Sequence, residues 1–193
     1  MKSSSDYPVL LFATQVEWEA WLSENCAVSA GVWLKLSKKG SGICSVSYAE
    51  AVESALCYGW IDGQAASFDD QVYLQKFTHR RSRSQWSQVN RDRAEALITA
   101  GRMQPEGLRE VELARADGRW EAAYASPSQA SVPEDLQAAL DQDPQAKAFF
   151  ESLNSTNRFA ILYRIQTAKK PETRAARIRK FVEMLQNGQK IYP

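Results

Sequence analysis

Apolar positions recur along the chain at two spacings, and each change of spacing marks an element. In "ATQVEWEAWLSEN" Trp18, Trp21 and Leu22 share a helical face. Thr14 stands as N-cap, and Glu17 is placed to reach back to the cap's N–H. "GVWLKLSKKGSG" alternates Val32, Leu34 and Leu36 against Trp33 and Lys35, which predicts a strand ending in a flexible turn. "SYAEAVESALCYG" repeats the capping box with Ser47 and Glu50, buries Ala51, Val52, Ala55 and Leu56, and stops at Gly59. The stretch "GWIDGQAASFDDQVYLQKFTHR" predicts a hairpin turning near Phe68–Gln71, with Val72, Leu74 and Lys76 alternating against Tyr73, Gln75 and Phe77.

Helical spacing takes over afterwards. "SQVNRDRAEALITAGRM" sets Val89, Arg93, Ala96, Leu97 and Ala100 at helical intervals before Gly101, and "PEGLREVELARADG" runs from Pro105 to Gly118. The turn-rich end of 119–131 predicts a linker. Four further helices follow, with Pro133, Pro144 and Pro171 suited to first turns and Asp143 and Ser155 to caps. The fold class expected is therefore α+β. A small antiparallel sheet packed by helices occupies residues 1–125, and a C-terminal helical module occupies 126–193.

Charge changes this picture more than composition does. Apolar residues make up 44% of the 193, enough for a core, and the net charge is only +1. Yet residues 76–93 hold six Lys/Arg and one acid, and residues 169–180 again hold six and one. Removing both from the totals of 24 and 23 leaves 12 bases against 21 acids, so an acidic body carries two basic segments. Three cysteines without a CxxC pair and a single histidine are a poor ligand set, so no metal or cofactor is expected. The N-terminus lacks the apolar core of a signal peptide, and no run of about 20 apolar residues exists. The expectation is a cytoplasmic protein without a membrane span.

The first basic segment reads "FTHRRSRSQWSQVN". A guanidinium grips a carboxylate through two hydrogen bonds, so one of Arg80, Arg81 and Arg83 is expected to brace Asp62 of "GWIDG" while another faces a cleft. Ser84 or Ser87 would cap the following helix, whose start adds N–H donors for an anion. Trp60 and Trp86 would supply flat walls, and Asn90 both a donor and an acceptor. The candidate ligand-binding set is thus Trp60, Asp62, Arg80, Arg81, Arg83, Ser84, Trp86, Ser87 and Asn90, with a small anionic ligand as partner. In "KKPETRAARIRK", Arg174, Arg177 and Lys180 follow one edge of an amphipathic helix.

Three stretches, "EAVESALCYGWIDG" (50–63), "KFTHRRSRSQWSQVNRDRAEALITAGRM" (76–103) and "FFESLNSTNRFAILYRIQTAKKPETRAARIRK" (149–180), resemble in order and spacing the YdeI/OmpD-associated family, also labelled bacteriocin-protection proteins. The likeness covers nearly the whole chain, the third stretch being like the family's C-terminal helical module. It implies a bacterial, mostly soluble α+β protein tied to envelope stress or bacteriocin tolerance, and it implies no particular chemistry. His79 stands where the family usually has proline.

Three functions follow as expectations. The leading one is a stress-associated binder of a small anionic or phosphate-bearing ligand. The second is a nucleic-acid module using both basic segments. The third is a hydrolase or transferase built on Ser84, His79 and Asp62, although GxSxG, P-loop, GxGxxG and HExxH patterns are all missing.

Overall fold

The computed structural model describes residues 7–126, 129–168 and 170–193. Lys169 of the second basic segment and Pro127 and Ser128 of the expected linker lie outside the described residues. The chain forms two compact units. One runs to Trp86 and resumes over Asn90–Ala123; the other comprises Ser87–Val89 and Tyr124–Pro193.

The first unit is α+β. Its strands are β1 (Val9–Leu10), β2 (Val32–Ser37), β3 (Trp60–Ser67) and β4 (Val72–His79), and its helices are α1 (Gln15–Asn25), α2 (Tyr48–Cys57), α3 (Gln88–Thr99, from Asn90 on) and α4 (Pro105–Ala116). The strand order is β1-β2-β4-β3. The expected antiparallel sheet is mixed, because β1 pairs parallel with β2 while the other pairs are antiparallel. The reason is the connection: α1 lies between β1 and β2, and a strand–helix–strand crossover brings the second strand back in the same direction.

The predicted alternation in β2 holds: Val32, Leu34 and Leu36 are buried, and Trp33 and Lys35 are half-buried. Across β4 the buried row is Gln75 and Phe77, joined at the strand's start by Val72. Helices α1 and α2 lay Trp18, Leu22, Ala51, Val52, Ala55 and Leu56 on this face. Both helix starts are capped as their spacing predicts. In α2 the capping box is complete; in α1 the Glu17 carboxylate accepts instead from Ala13 N–H, one residue before the cap. Of the positions set at helical spacing in α3, Leu97 is buried together with Ala94, whereas Val89, Ala96 and Ala100 are exposed. Two tryptophans satisfy their indole N–H within the core, Trp18 on Ala51 O at 3.1 Å and Trp60 on Cys26 O at 3.2 Å.

Helix α4 crosses the end of α2 at Gly107. A Cβ there would meet the Cys57 carbonyl oxygen and lie 2.7 Å from that of Leu56, so only glycine permits the approach. Gln104 N–H donates to the same Cys57 carbonyl at 3.0 Å, which fixes the crossing.

The second unit is a helical bundle of α5 (Glu134–Asp141), α6 (Pro144–Ser152), α7 (Ser155–Gln166) and α8 (Pro171–Gln186). Leu136, Leu140, Phe150, Ile161, Ile165, Phe181 and Leu185 form its core. Asp143 caps α6 as expected. Pro133 is itself the N-cap position of α5 rather than part of its first turn, and Asn154, not Ser155, caps α7 by accepting from Asn157 N–H at 2.9 Å. The basic segment on α8 is used internally. Arg174 grips Asp135 with bonds of 2.6 and 2.8 Å and donates to Ile165 O, and Arg177 donates to Arg164 O. The Arg174 hydrogen bond holds the Asp135 carboxyl below the usual carboxylate range.

Candidate functional site

The basic run divides at the end of β4. His79 is exposed and packs on Trp60 at 4.9 Å between ring centroids. Arg80 then turns inward. Its backbone N–H donates to Gly59 O, its guanidinium carbon lies 3.5 Å from the Trp86 ring centroid, and its Nη1 donates to Gln85 O at 3.4 Å. Trp86 meets Trp120 edge-on at 4.8 Å, and Arg115 lies 5.1 Å from the far tryptophan. A buried Arg–Trp–Trp stack therefore holds the base of the loop.

Arg81 to Ser84 form a tight turn: Ser84 N–H donates to Arg81 O at 2.8 Å, and the Ser84 hydroxyl accepts from Arg81 N–H at 3.1 Å. From below, buried Arg119 donates to Ser84 O at 3.0 Å and forms an ion pair with Asp117 at 2.7 Å. On this fixed turn Arg81 and Arg83 are exposed, and neither takes part in an ion pair among the described residues.

Several members of the expected set stand elsewhere than the cleft reading requires. Trp60 and Trp86 are core residues with 0% and 1% of their surface exposed, so neither offers a face to a ligand. Arg80 is 5% exposed for the same reason: the strand's alternation stops at His79, and the next side chain enters the aromatic stack. No arginine pairs with Asp62 among the described residues; its Oδ2 accepts from Tyr48 Oη at 2.8 Å. Burial, and then this bond to Asp62, push the Tyr48 hydroxyl well above its ordinary range. Asn90 lies half-buried in α3, and Ser87 pairs with Tyr124 in the second unit. What the turn brings together is Arg81, Arg83 and Ser84.

The Ser84–His79–Asp62 relay is not assembled through the bonds just described: Ser84 is held by Arg81 N–H, Asp62 by Tyr48, and His79 stacks on Trp60. Sequence reasoning missed the Tyr48–Asp62 bond. Tyr48 opens α2 directly after the Ser47 cap, and no local spacing signals its reach to Asp62 on β3.

A polar network was also missed. Buried Ser54 donates to Glu19 at 2.8 Å, and Arg102 reaches Glu19 at 2.9 Å and Glu53 at 3.4 Å. It ties α1 and α2 to the segment after α3.

The thiols divide by burial. Cys44 is exposed, and burial pushes Cys57 up to about 11. Iodoacetamide at pH 8 is expected to label Cys44 alone in the native protein, with Cys26 and Cys57 reacting only after denaturation, as read by intact mass. Because the folded value of Cys57 lies above an unfolded one near 8.5, its contribution to stability is intact below about pH 8.5 and is lost as pH rises toward the folded value.

Two family models match the chain. One, described as Domain of unknown function (DUF8412), matches residues 10–110; the other, Bacteriocin-protection, YdeI or OmpD-Associated (OmdA), matches residues 129–188. The resemblance expected over nearly the whole length thus holds in its third stretch, whereas the first two, 50–63 and 76–103, fall in the other family's region. No curated protein and no solved structure matches the chain. No helix among the described residues is long and apolar enough to cross a membrane. The chain belongs, through residues 10–110, to the family described as Domain of unknown function (DUF8412), and residues 129–188 match the model described as Bacteriocin-protection, YdeI or OmpD-Associated.

Proposed function

We propose that this is a bacteriocin-protection-type stress protein whose first unit binds a small anionic or phosphate-bearing ligand on the turn at 81–84. One observation carries the reading: Arg81 and Arg83 are exposed, without an acidic partner among the described residues, on a turn held rigid from beneath. Four guanidinium groups elsewhere are committed to acids. Arg91, Arg102, Arg119 and Arg174 each hold a carboxylate. Two unneutralised planar cations on a fixed turn present donors matched to phosphate or carboxylate oxygens. In this reading Trp60, Arg80 and Trp86 support the turn rather than line it. The nucleic-acid alternative draws less support, because Arg174 and Arg177 of the second basic segment are used inside the bundle.

Calorimetric titration with inorganic pyrophosphate at low salt tests this. One-site binding is expected, weakening as salt is added. The Arg81→Ala/Arg83→Ala double variant should lose at least about tenfold in affinity, with stability within about 0.5 kcal/mol of the parent because both side chains are exposed. Equal affinity in parent and double variant sinks the reading. Tight duplex-DNA binding with a log–log salt slope of about −0.9 per phosphate would favour the nucleic-acid alternative instead.

A further inference from the structure

The second unit contains a cavity of about 510 Å³. It lies along α7, between the residues that open that helix and the chain's last residues. Its walls are the rings of Phe159, Tyr163 and Tyr192, Ser155 and Thr156 also line it, and among the described residues Arg164 is its one cationic side chain. No carboxylate lines it among the described residues.

The walls are held in place by bonds that do not depend on an occupant. The backbone of Tyr192 is held by the side chain of Asn157, which is 1% exposed. Tyr192 N–H donates to Asn157 Oδ1 at 2.8 Å, and Asn157 Nδ2 donates to Tyr192 O at 3.3 Å. Tyr163 is fixed by an edge-on contact with Tyr124 at 4.8 Å, and Phe159 lies 6.0 Å from Tyr163. Arg164 donates through Nη1 to Ala160 O at 2.9 Å and through Nη2 to the Tyr192 hydroxyl at 3.4 Å, and it belongs to no ion pair among the described residues. Its charge thus sits beside the cavity without an acid to balance it.

A packed bundle ordinarily closes such a space. Here three aromatic rings border an opening whose volume lies within the range of small-molecule sites, roughly 300–1,000 Å³. Flat apolar walls select a flat apolar body, and an unbalanced guanidinium at the edge selects a negative group on that body. We infer that this cavity binds a small aromatic molecule bearing one anionic group, with the ring between Phe159, Tyr163 and Tyr192 and the anion on Arg164. The site lies within the second unit and is independent of the turn at 81–84.

Naphthalene-2-sulfonate, with uncharged 2-naphthol as its partner probe, tests the assignment on the full-length protein by calorimetry. The sulfonate is expected to bind at one site per chain, and 2-naphthol at least about tenfold more weakly. Arg164→Gln should remove that preference while leaving the 2-naphthol affinity as it was. Thr156 lines the cavity and is exposed, so Thr156→Trp fills the opening without entering the core. It should abolish binding of both probes while the melting temperature holds. The Arg81→Ala/Arg83→Ala variant should bind the sulfonate as the parent does. Absence of saturable binding, equal affinity for the two probes, or undiminished binding by Thr156→Trp at an unchanged melting temperature would each overturn the assignment. So would clear preference for a peptide ending in an aromatic residue over the sulfonate.

Discussion

Gly107→Ala is expected to cost the first unit about 3 kcal/mol, visible as a lower urea midpoint at unchanged slope. In an ordinary helix the same change is favourable by about 1 kcal/mol, because alanine is the better helix former. Here the sign reverses. The added methyl would meet the carbonyl oxygens of Cys57 and Leu56, which are backbone and cannot rotate aside. The Cys57 carbonyl is also held by Gln104 N–H, so α4 can retreat only by giving up that bond and the packing of Val111 and Ala114 behind it. An unchanged or raised midpoint would mean that the two helices slide apart freely, and the close crossing would lose its structural importance.

Trp86→Ala should be comparably severe, about 3–5 kcal/mol. Its ring is fully covered and is the common neighbour of Arg80 and Trp120. Removing it leaves a cavity and takes away the aromatic face over which a buried guanidinium is placed. Trp86→Phe should cost clearly less. The indole N–H meets no hydrogen-bond partner among the described residues, so phenylalanine forfeits area but no bond. Chemical denaturation of both variants decides the point; equal losses would show that the ring's shape, not its area, matters. The Arg81→Ala/Arg83→Ala variant is expected at the other extreme, with stability unchanged because both side chains are exposed. Within seven residues the chain therefore passes from scaffold, at Arg80, to exposed charge, at Arg81 and Arg83, and back to scaffold at Trp86.

Much of the fold was legible because its signals are local. Thr14, Ser47 and Asp143 cap through atoms three residues away, and the alternation of β2 needs no knowledge of what lies across from it. In α3 the helical spacing was legible but the buried face, Ala94 and Leu97, was not, because small and charged residues stand on several of its faces. Ser155 lost the capping role to Asn154 by one position, the margin by which helix starts are usually ambiguous. The site was less legible. A run of arginines announces charge, but which guanidinium turns inward depends on where β4 ends and on Trp120, more than thirty residues later in the chain. Asp62 found a tyrosine rather than an arginine: Tyr48, at the start of α2, donates to its carboxylate across fourteen residues of chain. The aromatic cavity joins α7 to Tyr192, a pairing that no local periodicity encodes.

The four-stranded sheet has two margins, and both are blunt. On one side β1 offers a rung of only two residues; on the other, β3 slips register between Asp62 and Ala65. An incoming strand from a second molecule would find too short a template on the first side and a broken one on the other. Growth of this sheet into fibrils is disfavoured at its ends, even though its middle strands carry the unbroken ladder that such assemblies propagate.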